Sequence, residues 1–175
     1  QPLDSEAARY LAAEPFIESD APEIRSESAT AVRGVESDRA RAEKLTRYVN
    51  ALLDKKPTVS LPSALEVLRT RVGDCNEHTA LYVAMARAAG IPARIAVGLV
   101  FVHGAFYYHA WPEVYVDRTA SSGVWLPVDP TLNQFPADAT HIRLIRGGLE
   151  KQAAILPLIG RLSIDVDRVE LAANS

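Results

Sequence analysis

The sequence predicts an α+β fold in which N-terminal helices pack on an antiparallel β-sheet. Two observations predict it. Apolar residues recur at helical spacing as far as Ala89, and after Pro92 the pattern turns to extended runs rich in Ile, Val, Leu and aromatics. Helices and strands are therefore grouped along the chain rather than alternating, which argues against βαβ units. The 175 residues suit one domain with a core of its own.

A short helical stretch is expected at Glu6 to Ala13, followed by an acidic, Ser-rich segment with little periodicity. Residues 1–35 are accordingly read as an N-terminal arm or linker, and residues 36–175 as the main domain. From Ser37 a helix is well signalled: Ser37 caps it, and Leu45, Tyr48, Val49, Leu52 and Leu53 share a face. Asp54 to Pro62 reads as loop. Ser63 followed by Glu66 forms a capping box that opens a short helix to about Thr70.

The next helix carries most of the interest. Gly73 permits a tight turn, Asp74 is a good N-cap, and the run from Cys75 to Ala89 stops at Gly90 with Pro92 beyond. Leu81, Ala84, Met85 and Ala88 make one face, while Ala80, Val83 and Ala86 make the rest almost as apolar, so burial on most sides is expected. Ala93 to Val102 is a strand, His103 and Gly104 a turn, and Ala105 to Asp117 the returning strand. Val124 to Val128 is a third strand, with further strands expected at His141 to Ile145 and Leu162 to Leu171 and a helix at Leu149 to Ile159.

Composition removes several function classes. The chain is 48% hydrophobic and 23% charged, with a formal charge of −3 and scattered rather than massed arginines, so nucleic acid is not an expected partner. A single cysteine excludes an intrachain disulfide and a Cys-rich zinc site. No apolar run reaches the roughly 18 residues of a membrane span. The chain begins at Gln1, so the compartment is left open between export and cytoplasm, as is the oligomeric state.

Cys75 is the strong neutral-pH nucleophile candidate. It follows Gly-Asp at a helix start, where unpaired N–H groups favour a thiolate, and a partner imidazolium would complete its ionisation. Asp74 opposes that ionisation. The expectation is nevertheless a sulfur ionised at rest. The alternative is a small buried hydrophobe, the commoner fate of a lone cysteine. Four histidines compete for the base. His78 is one turn beyond Cys75 and suits capping or packing; His103 sits in a turn; His141 has no obvious partner. His109 alternates with Tyr107, Trp111, Glu113 and Tyr115 on one strand face. If the following turn centres near Ala120 and Ser121, antiparallel pairing sets His109 opposite the region just after Asp129. An imidazole needs such a carboxylate to hold its tautomer. Glu113 and Asp117 are rival carboxylates, and a turn role before Pro130 is the plain reading of Asp129.

Three blocks then resemble the transglutaminase-like superfamily. Gly73-Asp74-Cys75 with the helix through Arg87 and Ala89-Gly90-Ile91-Pro92-Ala93-Arg94 resembles its nucleophile block. His109-Ala110-Trp111-Pro112-Glu113-Val114-Tyr115-Val116 resembles its histidine block, and Trp125-Leu126-Pro127-Val128-Asp129-Pro130-Thr131 its aspartate block. The resemblance implies a papain-like transglutaminase-core fold with Cys75, His109 and Asp129 as nucleophile, base and orienting group, and attack on a protein or peptide amide without a cofactor. Hydrolysis and amine transfer both occur in such a family; hydrolysis is preferred here because no acceptor-binding element is visible. The oxyanion donors are open: the Cys75 N–H is one, and Asp74, Tyr48, Lys55, Lys56 and Thr58 are candidates to line the site, with Trp111 covering it. The competing readings are a non-catalytic peptide-binding or scaffolding domain that keeps the cleft, and a metal site using His78, His109 and nearby carboxylates, which lacks a His-x-x-x-His spacing.

Overall fold

A computed structural model describes residues 5–57, 63–119, 122–147, 151, 154–158 and 160–170. Among the described residues, five helices and six strands precede an irregular C-terminal stretch: α1 (Ser5–Ala8), α2 (Pro22–Ala31), α3 (Asp38–Leu52), β1 (Asp54–Lys55), α4 (Ala64–Thr70), β2 (Val72–Gly73), α5 (Cys75–Ala88), β3 (Ala93–Val102), β4 (Ala105–Val116), β5 (Val124–Pro127) and β6 (His141–Arg146). Short 3₁₀ turns follow α1 at Arg9–Leu11 and occur again at Leu156–Leu158. The expected α+β fold is observed, with β5-β4-β3-β6 as one antiparallel sheet.

Local chemistry explains where the helices start. The Ser37 hydroxyl accepts from the Ala40 N–H, and the Ser63 hydroxyl accepts from the Glu66 N–H. Each satisfies an N–H that has no intrahelical acceptor, an interaction typically worth about 1 kcal/mol. Helix α5 is central. Every residue from Glu77 to Arg87 is buried, because α2, α3 and α4 pack around it and β3 and β4 lie against its remaining side.

Helix α2 was not expected. Its sequence is polar, yet Ile24, Ser28 and Ala31 are buried, and the Ser28 hydroxyl donates to the Met85 carbonyl of α5 at 2.7 Å. Residues 5–35 are thus packed on the rest, with Ile17 also in the core.

Strand β4 is two-sided. Tyr108, Ala110, Val114 and Val116 belong to the helix-facing core, and His109, Trp111, Glu113 and Tyr115 take the other face. Pairing with β5 sets Glu113 opposite Pro127 and Tyr115 opposite Trp125, so Asp129 leaves β5 beside the His109–Trp111 stretch. The turn at residues 120–121 lies outside the described residues. Beyond β3, strand β6 pairs with a register shift at Val97/Gly98. Gly98 is required there: a Cβ would stand 2.0 Å from the Ile142 carbonyl oxygen.

One expected strand is absent. Residues 162–170 run without strand pairing, and Leu162, Val166 and Val169 are exposed. Apolar alternation makes a strand only where a sheet edge receives it. Of the helix expected at Leu149 to Ile159, residues 149, 150, 152, 153 and 159 lie outside the described residues, as does Leu171, and Leu156–Leu158 form a 3₁₀ turn. No helix among the described residues is long and apolar enough to cross a membrane.

Candidate active site

The start of α5 places the sulfur. The Asp74 carboxylate accepts from the Asn76 N–H at 3.1 Å, and the Glu77 carboxylate accepts from the Asp74 N–H at 2.9 Å, closing a capping box. Gly73 makes room for it, since a Cβ there would lie 2.1 Å from Glu77 Cβ. Cys75 is consequently the first helical residue, half-buried, with its sulfur close to the Ala110 backbone on β4.

The electrostatics differ from the expectation of a sulfur ionised at rest. Burial pushes the Cys75 thiol up to about 12; the Ala110 backbone works the other way, but the nearby carboxylates of Asp74, Asp129 and Glu77 add to the rise. A thiol held this high keeps its proton at neutral pH. Asp74 is itself pushed up to about 6, by burial first and then by the neighbouring Glu77 carboxyl.

His109 and Asp129 are brought together. His109 is 5% exposed, and its Nε2 lies 2.7 Å from Asp129 Oδ2. An ionised carboxylate only accepts, so Nε2 carries the proton and Nδ1 of a neutral ring holds the basic lone pair. Asp129 is fully buried, and its Oδ1 accepts from the N–H groups of Thr131 (2.8 Å) and Leu132 (2.9 Å). Burial raises its carboxyl, but the hydrogen bonds from His109, His141 and Leu132 outweigh this and hold it well below the usual carboxylate range.

His141, expected to lack a partner, has one. Its Nε2 lies 2.9 Å from the same Asp129 Oδ2 that meets His109. The loop between Pro130 and Thr140 folds back through paired backbone bonds of Asp129 with Gln134, which carries β6 to the carboxylate. Trp111 walls this group: it is 1% exposed, stacked on His109 (centroids 6.0 Å, 23°) and edge-on to His141 (5.0 Å, 78°).

The other candidates lie elsewhere. His78 is fully buried and donates Nδ1–H to the Asp74 carbonyl at 2.7 Å. His103 caps the exposed β3–β4 hairpin with positive φ. Tyr48 directs its hydroxyl at Glu27 of α2. Lys55 pairs with Gly73 between β1 and β2, and the Lys56 N–H donates to the Gly73 carbonyl, so this segment runs beside the start of α5. Thr58 lies outside the described residues. Glu113, the rival carboxylate, is paired with Arg94 at 2.7 Å, and Asp117 with Arg39 at 2.7 Å.

Tyr108 escaped the sequence reading. Its hydroxyl is buried without a hydrogen-bond partner, and its ionisation is pushed up by burial and by the nearby Cys75 and Asp74. It also lines an apolar depression of about 240 Å³ with Leu99, Phe106 and Leu162. The only sequence signal was its place next to His109. As for a metal, His109, Asp129 and His141 each offer a donor atom within 4.8 Å of the others. Both rings, however, aim at one carboxylate oxygen, so the three groups satisfy one another as a hydrogen-bonded chain.

Comparison with known proteins identifies the family and the fold. The family model described as transglutaminase-like superfamily matches residues 26–130. A candidate cysteine protease from Cytophaga hutchinsonii is similar in structure, with TM-score 0.70 and 23% identity over 83% of this chain and 48% of its own. The periplasmic domain of TgpA from Pseudomonas aeruginosa, solved with ethylmercury, gives TM-score 0.55 and 23% identity over 75% of this chain and 50% of its own. The chain thus spans about half the length of these two structures, and at such identity they speak to the fold. No curated protein matches the sequence significantly.

Proposed function

We propose that this chain, which belongs to the transglutaminase-like superfamily, is a cysteine-dependent acyl-transfer enzyme acting on protein or peptide amides. The observation that carries the reading is the buried 2.7 Å contact of His109 with Asp129, whose carboxylate lies close enough to Cys75, the first residue of α5, to act on its thiol.

In this reading His109 Nδ1 takes the proton from Cys75 as the sulfur attacks the amide carbonyl carbon. The thiol stands near 12 at rest, so proton transfer accompanies attack rather than preceding it. General-base assistance of this kind contributes about 10²- to 10⁴-fold. The carbonyl oxygen gains charge as the C–S bond forms. The first-turn N–H of Cys75 has no intrahelical acceptor, and with the unpartnered Tyr108 hydroxyl it supplies donors for that charge. Imidazolium then protonates the leaving amine or ammonia, the C–N bond breaks, and a thioester remains on Cys75. Water or a second amine, deprotonated by His109, resolves the thioester and restores the thiol. Asp129 holds the His109 tautomer and stabilises the imidazolium throughout.

The test pairs labelling by a thiol-directed activity probe with ammonia release from glutamine-containing peptides, with and without a primary amine. Activity that disappears in Cys75→Ala supports the reading, and the amine dependence separates hydrolysis from transfer. Full turnover in Cys75→Ala overturns it.

A further inference from the structure

The three-residue site leaves out His141, which the fold places on Asp129 as directly as it places His109. The His141 side chain is 3% exposed at the first residue of β6. Its Nε2 lies 2.9 Å from Asp129 Oδ2, and its Nδ1 lies 3.2 Å from the Asp138 carbonyl oxygen and 3.4 Å from Asp138 Oδ1. A carbonyl oxygen and an ionised carboxylate only accept hydrogen bonds. A neutral ring carries one N–H and meets one of these demands; a doubly protonated ring meets both.

The surroundings agree. The charged groups facing this ring are Asp129 and Asp138, and the Asp138 carboxyl too lies below its ordinary range, burial being outweighed by the bonds from Thr140 and by His141. On β3, Val100 stands opposite His141, and β4 contributes Trp111 and the second titratable ring, His109, at 5.7 Å. Burial pulls the His141 ring down, but its bonds to the two aspartates prevail and its affinity for the second proton is raised.

A cation already seated on Asp129 has a consequence for His109. The carboxylate divides its attraction between two rings, and the like charge of His141 opposes a second imidazolium 5.7 Å away. His141 touches Asp129 and the His109 ring, whereas the charged groups that act on the Cys75 sulfur are Asp74, Asp129 and Glu77. That like charge weighs against moving the Cys75 proton to His109 before substrate arrives.

We propose that His141 is a positioning residue of this site: as an imidazolium bridging Asp129 and Asp138, it holds the Asp129 carboxylate against His109 and keeps the resting proton on Cys75. This rests on the reading of Cys75 and His109 as nucleophile and base, and it extends the site from three residues to four.

Iodoacetamide alkylation measured across pH tests it, because the chain has one cysteine and alkylation reports that sulfur whether or not turnover is seen. Wild type should react slowly at neutral pH, with a rate still climbing above the free-thiol range. His141→Gln keeps a donor toward Asp129 but removes the charge, and should raise the rate at neutral pH about tenfold, one pKa unit of thiolate formation. A second measurement needs no variant: the ring nitrogens of His141 in ¹⁵N-labelled wild type should both be protonated at neutral pH. A neutral His141 tautomer at that pH, or superimposable alkylation profiles for wild type and a folded His141→Gln, overturns the proposal. Neither result depends on activity, so failure here is distinct from failure of the Cys75→Ala test.

Discussion

His109 and Asp129 meet at 2.7 Å although they stand 20 positions apart in the chain. The β4–β5 register brings them to one end of the sheet, and the Asp129–Gln134 bridge fixes the carboxylate there. The contact depends on Asp129 remaining an acceptor on both oxygens.

Asp129→Asn should therefore retain the fold and lose most of the activity. The amide has a donor where His109 needs an acceptor, which favours the wrong imidazole tautomer, and a fall of about 10²- to 10⁴-fold in kcat is expected. Turnover measured beside a thermal unfolding curve checks this; kcat within threefold of wild type would contradict it.

Cys75→Ala and His109→Ala should each remove nearly all turnover, and the double variant should be no worse than either by more than about tenfold, since the groups act as one unit. Single-turnover rates on a glutamine-containing peptide give the comparison. Multiplying losses would show that the two side chains act independently.

Gly98→Ala reaches the site through the sheet. The added Cβ would meet the Ile142 carbonyl oxygen at 2.0 Å, backbone against backbone, so β6 has to move. Overpacking of this kind costs about 1–3 kcal/mol, and it displaces His141, the residue just before Ile142 on β6. A lowered urea midpoint together with an altered alkylation profile is the expected pair of results.

Asp74 sets a pH dependence of stability. Its folded carboxyl is pushed up to about 6, whereas an unfolded aspartate titrates near 4. Between those values the folded chain binds the extra proton, so this residue's contribution favours folding at low pH and is lost as pH rises through about 6. Asp129 runs the opposite way: its contribution is present above the unfolded value and is lost as pH falls through its depressed folded value. Asp74→Asn, which keeps a capping oxygen, should flatten the loss between about pH 4 and 6 when urea midpoints are compared. An unchanged slope would show that another group carries it.

Much of this was legible in the chain because local chemistry decides it. Ser37, Ser63 and Asp74 announce the starts of α3, α4 and α5, and the change of period after Pro92 announces the sheet. Three ordered blocks pointed to Cys75, His109 and Asp129 as candidates. What was hidden depends on tertiary placement. Helix α2 has a polar sequence, and its burial rests on Ile24, Ala31 and the Ser28 bond to Met85. His141 finds Asp129 only after the intervening loop has folded back. The thiol reads differently in three dimensions because helix end and imidazole could be inferred from spacing, whereas burial and the field of Asp74, Asp129 and Glu77 could not.

The most direct test of the central claim is intact-mass and peptide-mapping analysis of the protein quenched in acid during turnover of a glutamine-containing peptide. The account predicts an acyl adduct on Cys75, formed with ammonia release and absent in His109→Ala. An adduct on any other side chain, or turnover undiminished in Cys75→Ala, would contradict it.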